Sequence, residues 1–136
     1  METSSRKREQ ERRVNQRFEL RTPVEFRGDD DTIAHGDITD VSLAGMMIRC
    51  DRTALRSIAP KFDKTTPDEA PRVRACFALP ADSVGEIEVD CKVVHIRRFS
   101  QSEYFVHLNY ENFAGASYDE LRHYIETLVE LGARPS

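Results

Sequence analysis

The sequence predicts a mainly β protein, a six-stranded antiparallel β-barrel with a C-terminal α-helix and a flexible, basic N-terminal arm. The clearest observation is the alternation between residues 86 and 93, where charged residues separate Ile87, Val89, Cys91 and Val93. Five further short apolar segments are separated by turn-forming residues, a pattern typical of small barrels. After residue 116 the apolar spacing changes to three and four residues, which indicates a helix.

Length and composition are those of a single soluble domain. The chain has 136 residues, of which 39 % are apolar and 32 % charged, enough for one core. It contains no apolar run that could cross a bilayer, and the N-terminus lacks the apolar block of a signal peptide, so we expect a cytoplasmic protein without membrane insertion. Three cysteines, each in an apolar segment, favour reduced core thiols over disulfides.

Positive charge is concentrated at the N-terminus. Residues 1–17 hold six basic and three acidic side chains, a charge of +3, whereas the whole chain is at −4 and the remainder therefore carries −7. Residues 1–11 have almost no apolar content and are predicted to form a flexible tail, followed by one domain over residues 12–136. A basic arm on an acidic body argues against a general nucleic-acid binder and favours a small anion as ligand.

The first half of the predicted barrel has three strands. Alternating apolar residues and β-branched side chains place them at residues 18–26, 32–41 and 46–50. Turn residues separate them at 27–31 and 42–45. The barrel as a whole is expected to span about residues 18–113.

The connection from residue 51 to residue 71 is predicted to be a long loop. Residues 53–58 could form one or two helical turns, but Pro60, Pro67 and Pro71 favour an irregular path for most of the segment.

Three more strands are predicted at residues 72–79, 87–96 and 104–110. In the fifth strand the alternation slips, because Val94 and Ile96 are apolar on what should be the opposite face. This slip indicates a bulge or a strongly twisted strand that changes its buried side, as barrels require.

The last segment predicts a helix over about residues 117–132. Its apolar residues recur at helical spacing: Tyr118, Leu121, Tyr124, Ile125, Leu128 and Leu131. Ser117 is a candidate N-cap, Glu120 would complete a capping box, and Gly132 supplies a stop. The apolar face of this helix is expected to be core, and a dimer contact is the alternative.

Two short motifs carry the candidate chemistry. Arg13 and Arg17 form an Arg-x-x-x-Arg pattern before the first strand, and arginine can grip phosphate bidentately or stack on a base. Asp40, Ser42 and Gly45 form an Asp-x-Ser-x-x-Gly turn between the second and third strands. In such a turn Asp and Ser commonly bond backbone amides, and Gly45 would satisfy either a left-handed backbone or a close approach.

Together and in this order, the two motifs resemble the signature of the PilZ domain family. The resemblance implies a barrel that serves as a receptor for cyclic di-GMP, a bacterial second messenger, and not as an enzyme. By position it implies that Arg13 and Arg17 hold phosphate and stack on or bond guanine, that Asp40 and Ser42 bind the guanine edge and nearby phosphate, and that Gly45 keeps the turn open. No cofactor beyond this ligand is expected.

Arg12 adds an expectation about stoichiometry. In the family, an arginine immediately before the first motif arginine accompanies capture of two stacked ligand molecules, so the resemblance implies two cyclic di-GMP molecules per chain. A flexible arm that closes over bound anions would present a new surface to an unidentified downstream protein.

Other functional classes have weaker support. The four histidines show no metal-ligand spacing, although His95 and His107 could face each other across a strand pair. A single-strand nucleic-acid binder would need basic residues along its strands, where Glu86, Glu88 and Asp90 stand instead. No histidine has an evident claim to act with Asp40 in catalysis. A protein-interaction adaptor that needs no ligand is the principal alternative.

Overall fold

The computed structural model describes residues 16–28, 31–59, 71–79 and 86–135. Six antiparallel strands close into a barrel in the order β1-β2-β3-β6-β5-β4, which confirms the predicted fold class. The strands are β1 (Phe18–Arg27), β2 (Ile33–Val41), β3 (Gly45–Asp51), β4 (Arg72–Ala78), β5 (Glu86–Arg98) and β6 (Glu103–Phe113). The described residues also form two helices, α1 (Arg52–Ile58) and α2 (Ser117–Glu130).

The core fills the inside of the barrel with the alternate side chains of every strand. Because successive side chains of a strand point to opposite faces, one set is buried and the other reaches the outer surface. The largest fully buried side chains include Phe26, Ile38, Met46, Ile48, Leu55, Ile87, Leu108 and Leu121. The outer set therefore remains available to build a site.

The predicted irregularity of β5 is a β-bulge. The register between β5 and β6 shifts between Asp90 and Cys91 and again between Val93 and His95. Val94, at the second shift, is left exposed, whereas Ile96 packs against the core again. A bulge adds one residue to one strand, so the strand bends and its later side chains return to the correct face.

The segment after β3 begins with α1, so the helical turns that the sequence left open for residues 53–58 are present, and the predicted long loop does not hold for this part. The carboxylate of Asp51 caps this helix by accepting a hydrogen bond from Ala54 N at 2.8 Å. Leu55 and Ile58 are buried, and this burial stabilises two helical turns in spite of the nearby prolines. Residues 60–70 lie outside the described part of the chain.

Helix α2 is confirmed, but the predicted capping box at its start is wrong. Ser117 is the first helical residue, Ala116 occupies the N-cap position, and no side-chain bond caps the helix. The Ser117 hydroxyl instead accepts a hydrogen bond from Glu88 N on β5 at 3.0 Å. Leu121 and Ile125 are buried, and Tyr124 and Leu128 pack against the core, so the middle of the face predicted to be core is core. Tyr118 and Leu131, near its two ends, are exposed.

Several expectations concern parts or properties of the protein that the structure does not describe. The N-terminal tail, Arg12 and Arg13 lie outside the described residues, and the predicted domain limits and cytoplasmic location stay predictions. Neither described helix has the length and apolar character needed to span a bilayer.

Candidate functional site

A row of outward-facing side chains crosses four neighbouring strands of the barrel. The strand registers place Asp40 of β2 beside Met47 of β3, Met47 beside His107 of β6, and His107 beside His95 of β5. Directly opposed residues in antiparallel strands have Cβ atoms about 4.5–5.5 Å apart. The predicted proximity of His95 and His107 is confirmed.

Arg17 lies at one end of this row, immediately before β1. Phe18 is buried and pairs with Val41, which fixes the preceding residue beside β2. The guanidinium of Arg17 donates from NH1 to Asp40 Oδ1 at 2.9 Å, and the two side chains are only 26 % and 19 % exposed. The structure therefore joins one residue from each predicted motif, although 23 positions separate them in the chain.

His107 completes a three-residue cluster that the sequence did not predict. Its ring contacts Arg17 NH2 through both nitrogens, with Nδ1 at 3.4 Å and Nε2 closer. Partial burial, and then the positive charge of Arg17, lower the pKa of His107 below its ordinary value of 6.5. The imidazole is therefore neutral near pH 7, and a neutral ring has one nitrogen that can accept a hydrogen bond from the guanidinium.

Ser42 stabilises the turn next to Asp40. Its buried hydroxyl donates to Gly45 O at 3.1 Å and accepts from the backbone N–H groups of Ala44 and Gly45, each at 3.1 Å. A serine hydroxyl has one donor hydrogen and two acceptor lone pairs, so these three bonds use its full capacity. Without ligand, Ser42 therefore acts within the turn.

Gly45 is required because another strand lies too close for a side chain. A Cβ atom at this position would lie 2.1 Å from the carbonyl oxygen of Leu108 on β6. The described glycines with positive φ are Gly115 and Gly132, so of the two interpretations given for Gly45, close approach is correct and a left-handed backbone is not. The absence of a side chain lets β3 pair with β6 directly after the turn.

Tyr110 places a buried hydroxyl near the cluster. The hydroxyl has no hydrogen-bond partner among the described residues, while its ring packs on Phe113 with centroids 5.0 Å apart. Burial raises the pKa of Tyr110 well above its usual value of 10.0, and the charge of Asp40 raises it further while Arg17 opposes that effect. The sequence placed this residue at the end of the sixth predicted strand and gave its hydroxyl no role.

The site thus presents a carboxylate, a guanidinium and a neutral imidazole on one outer face. Among the described residues, no group of three metal-ligating side chains is close enough to hold a metal ion. Since each of the three groups is only partly exposed, a ligand that exchanged their mutual contacts would meet strong, partly desolvated donors and acceptors.

Comparison with known proteins gives one family match and several structural neighbours. The sequence model of the family described as "PilZ domain" matches residues 7–127. No curated protein matches the chain.

The structural neighbours share the barrel at low sequence identity. The Bacillus subtilis inhibitor of motility (MotI/DgrA) has a TM-score of 0.62 at 15 % identity, covering 86 % of this chain and 50 % of its own. Borreliella burgdorferi PlzA, solved in complex with cyclic di-GMP, has a TM-score of 0.62 at 15 % identity, covering 94 % and 56 %. The PilZ domain of Escherichia coli YcgR with cyclic di-GMP has a TM-score of 0.54 at 13 % identity, covering 85 % and 90 %. The chain thus spans only about half the length of the first two proteins.

Proposed function

The chain belongs to the PilZ domain family, and on that premise we propose that it is a receptor for cyclic di-GMP and not an enzyme. The observation that carries the proposal is the bond of 2.9 Å between Arg17 and Asp40, which unites the two motifs on one outer face of the barrel. Two structural neighbours were solved in complex with this dinucleotide, which supports the same ligand class here.

The chemistry of a guanine matches this pair of side chains. The carboxylate of Asp40 is an acceptor for the N1–H and N2 amino donors of the base, and the guanidinium of Arg17 can donate to O6 and N7 or to a phosphate. In the free protein the two groups satisfy each other. The ligand replaces that bond with complementary bonds of its own, so the half-buried charges are never left unpaired.

Ser42 and Gly45 support Asp40 from the adjoining turn. We propose that Gly45 acts by permitting the close approach of β3 to β6. Direct contact between Ser42 and the ligand, as the family resemblance implies, requires the hydroxyl to exchange one of its three bonds in the turn.

Arg12 and Arg13 extend the proposed site into the basic arm. Further guanidinium groups next to Arg17 would bind a second phosphate and stack on another base, so we propose that two intercalated ligand molecules bind per chain. Isothermal titration calorimetry that saturates at one ligand per chain refutes this stoichiometry and leaves the receptor assignment standing.

The arm is also the proposed output of the receptor. A basic segment that becomes ordered over a bound anion creates a new surface, which a downstream protein can recognise. Amide hydrogen exchange of residues 6–17 is expected to slow when cyclic di-GMP is added. Unchanged exchange at saturating ligand contradicts this coupling.

The central test is calorimetric titration of the purified protein with cyclic di-GMP. Arg17→Ala and Asp40→Ala are each expected to weaken binding by about 1.5–3 kcal/mol, or roughly 10- to 150-fold, the range for hydrogen bonds to charged groups. Arg74→Ala is the matched control, because Arg74 donates to Asp90 at the same distance of 2.9 Å on the exposed β4–β5 face. Its affinity should equal that of the wild type.

The same titration decides between receptor and adaptor. No binding heat at micromolar ligand rejects the receptor and favours a protein-interaction adaptor that needs no ligand. Equal losses in Arg17→Ala and Arg74→Ala would show that binding depends on general positive charge and not on the proposed site.

A further inference from the structure

We propose that His107 belongs to the ligand site and takes up a proton when the anionic ligand binds. The proposal rests on the proposed function, because it concerns the same site. It adds a residue outside both sequence motifs, and it makes the affinity for a phosphate-containing ligand depend on pH.

The contacts of Arg17 place His107 within the site. One guanidinium bonds Asp40 through NH1 and meets the His107 ring through NH2, so Arg17 bridges β2 and β6. His107 is only partly exposed, and the strand register places Met47 between it and Asp40 on the same face. A ligand that binds Arg17 therefore lies against the imidazole.

The charged and titratable groups around His107 come from three directions. Arg17 approaches from the segment before β1, Asp40 lies on β2, and His95 is its partner on β5. On β3 the neighbour is the uncharged Met47. In the free protein Asp40 favours the charged imidazole, but burial and Arg17 outweigh it and keep the pKa of His107 below 6.5.

Ligand binding changes the charges that act on His107. Cyclic di-GMP brings two negative phosphates to Arg17, and their charge offsets the guanidinium that disfavours imidazolium. These two charges outweigh the added burial of the ring beneath the ligand, so the pKa of His107 is higher in the complex than in the free protein. Between those two pKa values the complex holds more protons, so affinity rises as pH falls through that window.

The proton uptake can be measured directly by calorimetry. Titrations with cyclic di-GMP at several pH values between about 5 and 8, the range in which histidine changes its charge, are repeated in buffers with different ionisation enthalpies. The slope of the observed enthalpy against the buffer enthalpy gives the number of protons taken up. A positive fraction of a proton is expected for the wild type, with affinity rising about tenfold for each unit of pKa difference.

Single substitutions identify the group that takes up the proton. His107→Gln keeps a neutral hydrogen-bonding side chain and is expected to lose both the uptake and the rise in affinity at low pH. His95→Gln, at the paired position on β5, is expected to retain the uptake, as is His123→Gln on the exposed face of α2. Thermal unfolding of each variant verifies that the barrel is intact.

A second measurement does not need the ligand. Histidine NMR titration of the free protein should give a lower pKa for His107 than in Arg17→Gln, because the substitution removes the neighbouring charge. An unchanged pKa overturns the contact on which the proposal depends.

The outcomes separate the two proposals. Binding without proton uptake, or uptake that persists in His107→Gln, refutes the role of His107 and leaves the receptor intact. No binding heat in any buffer refutes the receptor, and the role of His107 with it.

Discussion

Replacing Gly45 with alanine is expected to destabilise the barrel strongly, because the added Cβ atom meets backbone. It would lie 2.1 Å from Leu108 O, whereas ordinary contact begins at 3.4 Å, so the two atoms must separate by about 1.3 Å. Neither side can move freely. Leu108 is fully buried, and Gly45 and Asn109 are paired in the β3–β6 register.

The size of the effect follows from the cost of inserting atoms into a packed site. Such insertions typically cost 1–3 kcal/mol, and here the obstacle is a carbonyl in a ladder and not a mobile side chain. We expect Gly45→Ala to lower the free energy of unfolding by about 3 kcal/mol, in the upper part of that range. Equilibrium unfolding in urea, monitored by circular dichroism, measures the change.

Gly115→Ala is the matched control for the same substitution. Gly115 has a φ of +53°, and a Cβ atom there would have nothing within 4 Å. Only backbone strain opposes alanine at this position, at a cost of about 1–2 kcal/mol. A loss at Gly45 no larger than the loss at Gly115 would refute the reasoning from close approach.

Two further predictions concern buried polar groups. Tyr110→Phe removes a buried hydroxyl that lacks a hydrogen-bond partner among the described residues. The substitution should therefore leave the free energy of unfolding unchanged or raise it by about 1 kcal/mol, as measured by urea unfolding. A decrease of that size would show that the hydroxyl does form a hydrogen bond. Burial raises the pKa of both Cys50 and Cys91 from 9.0 to about 12. The contribution of these two neutral thiols to the free energy of unfolding is fully present below about pH 9. It is lost as pH rises toward 12, because only the thiols of the unfolded protein ionise in that window. Both thiols should therefore resist iodoacetamide at about pH 8.5 in native protein and react in urea, and equal rates in the two states would contradict the burial.

Local patterns were enough to predict the strands because each strand has one face in the core. The alternation of Ile87, Val89 and Cys91 survives in the structure as alternate burial. The slip at Val94 also had a local cause, since a bulge adds one residue to the count. Patterns of this kind report burial directly.

Ser117 shows where local patterns fail. Its position before an apolar run matches an N-cap, yet its hydroxyl bonds Glu88 N on β5, 29 positions earlier in the chain. A hydrogen bond to a distant strand competes with the local cap, and the spacing of residues in the sequence does not predict such a long-range bond. Helix α1 was left open as an alternative to a loop, because nearby prolines favour an irregular path and only the fold shows the burial of Leu55 and Ile58 that stabilises it.

The residues of the candidate site also fall into two groups, those that a short motif predicts and those that only the fold brings to the site. Arg17 and Asp40 belong to short motifs, so residue type and order predicted them. His107 and Tyr110 carry no motif, and His107 reaches Arg17 across 90 positions only because the barrel closes. Such a neighbour follows from the register of β6 against β3 and β5, which a single sequence does not specify.

The closure of the barrel has a consequence for how the protein opens. Within the part of the chain that the structure describes, β1 pairs with β4 through residues 25–27 and 74–76, with one further bond from the Thr22 hydroxyl to Ala78 O, whereas β6 pairs with β3 and β5 along most of its length. Short strand pairings with few hydrogen bonds open at the lowest free energy, so transient opening of the barrel should begin where β1 pairs with β4. Strands β2, β3, β6 and β5, which include those of Asp40 and His107, would stay paired with one another while β1 and β4 are apart. The side of the barrel that bears the candidate site would therefore stay assembled while the pairing of β1 with β4 opens.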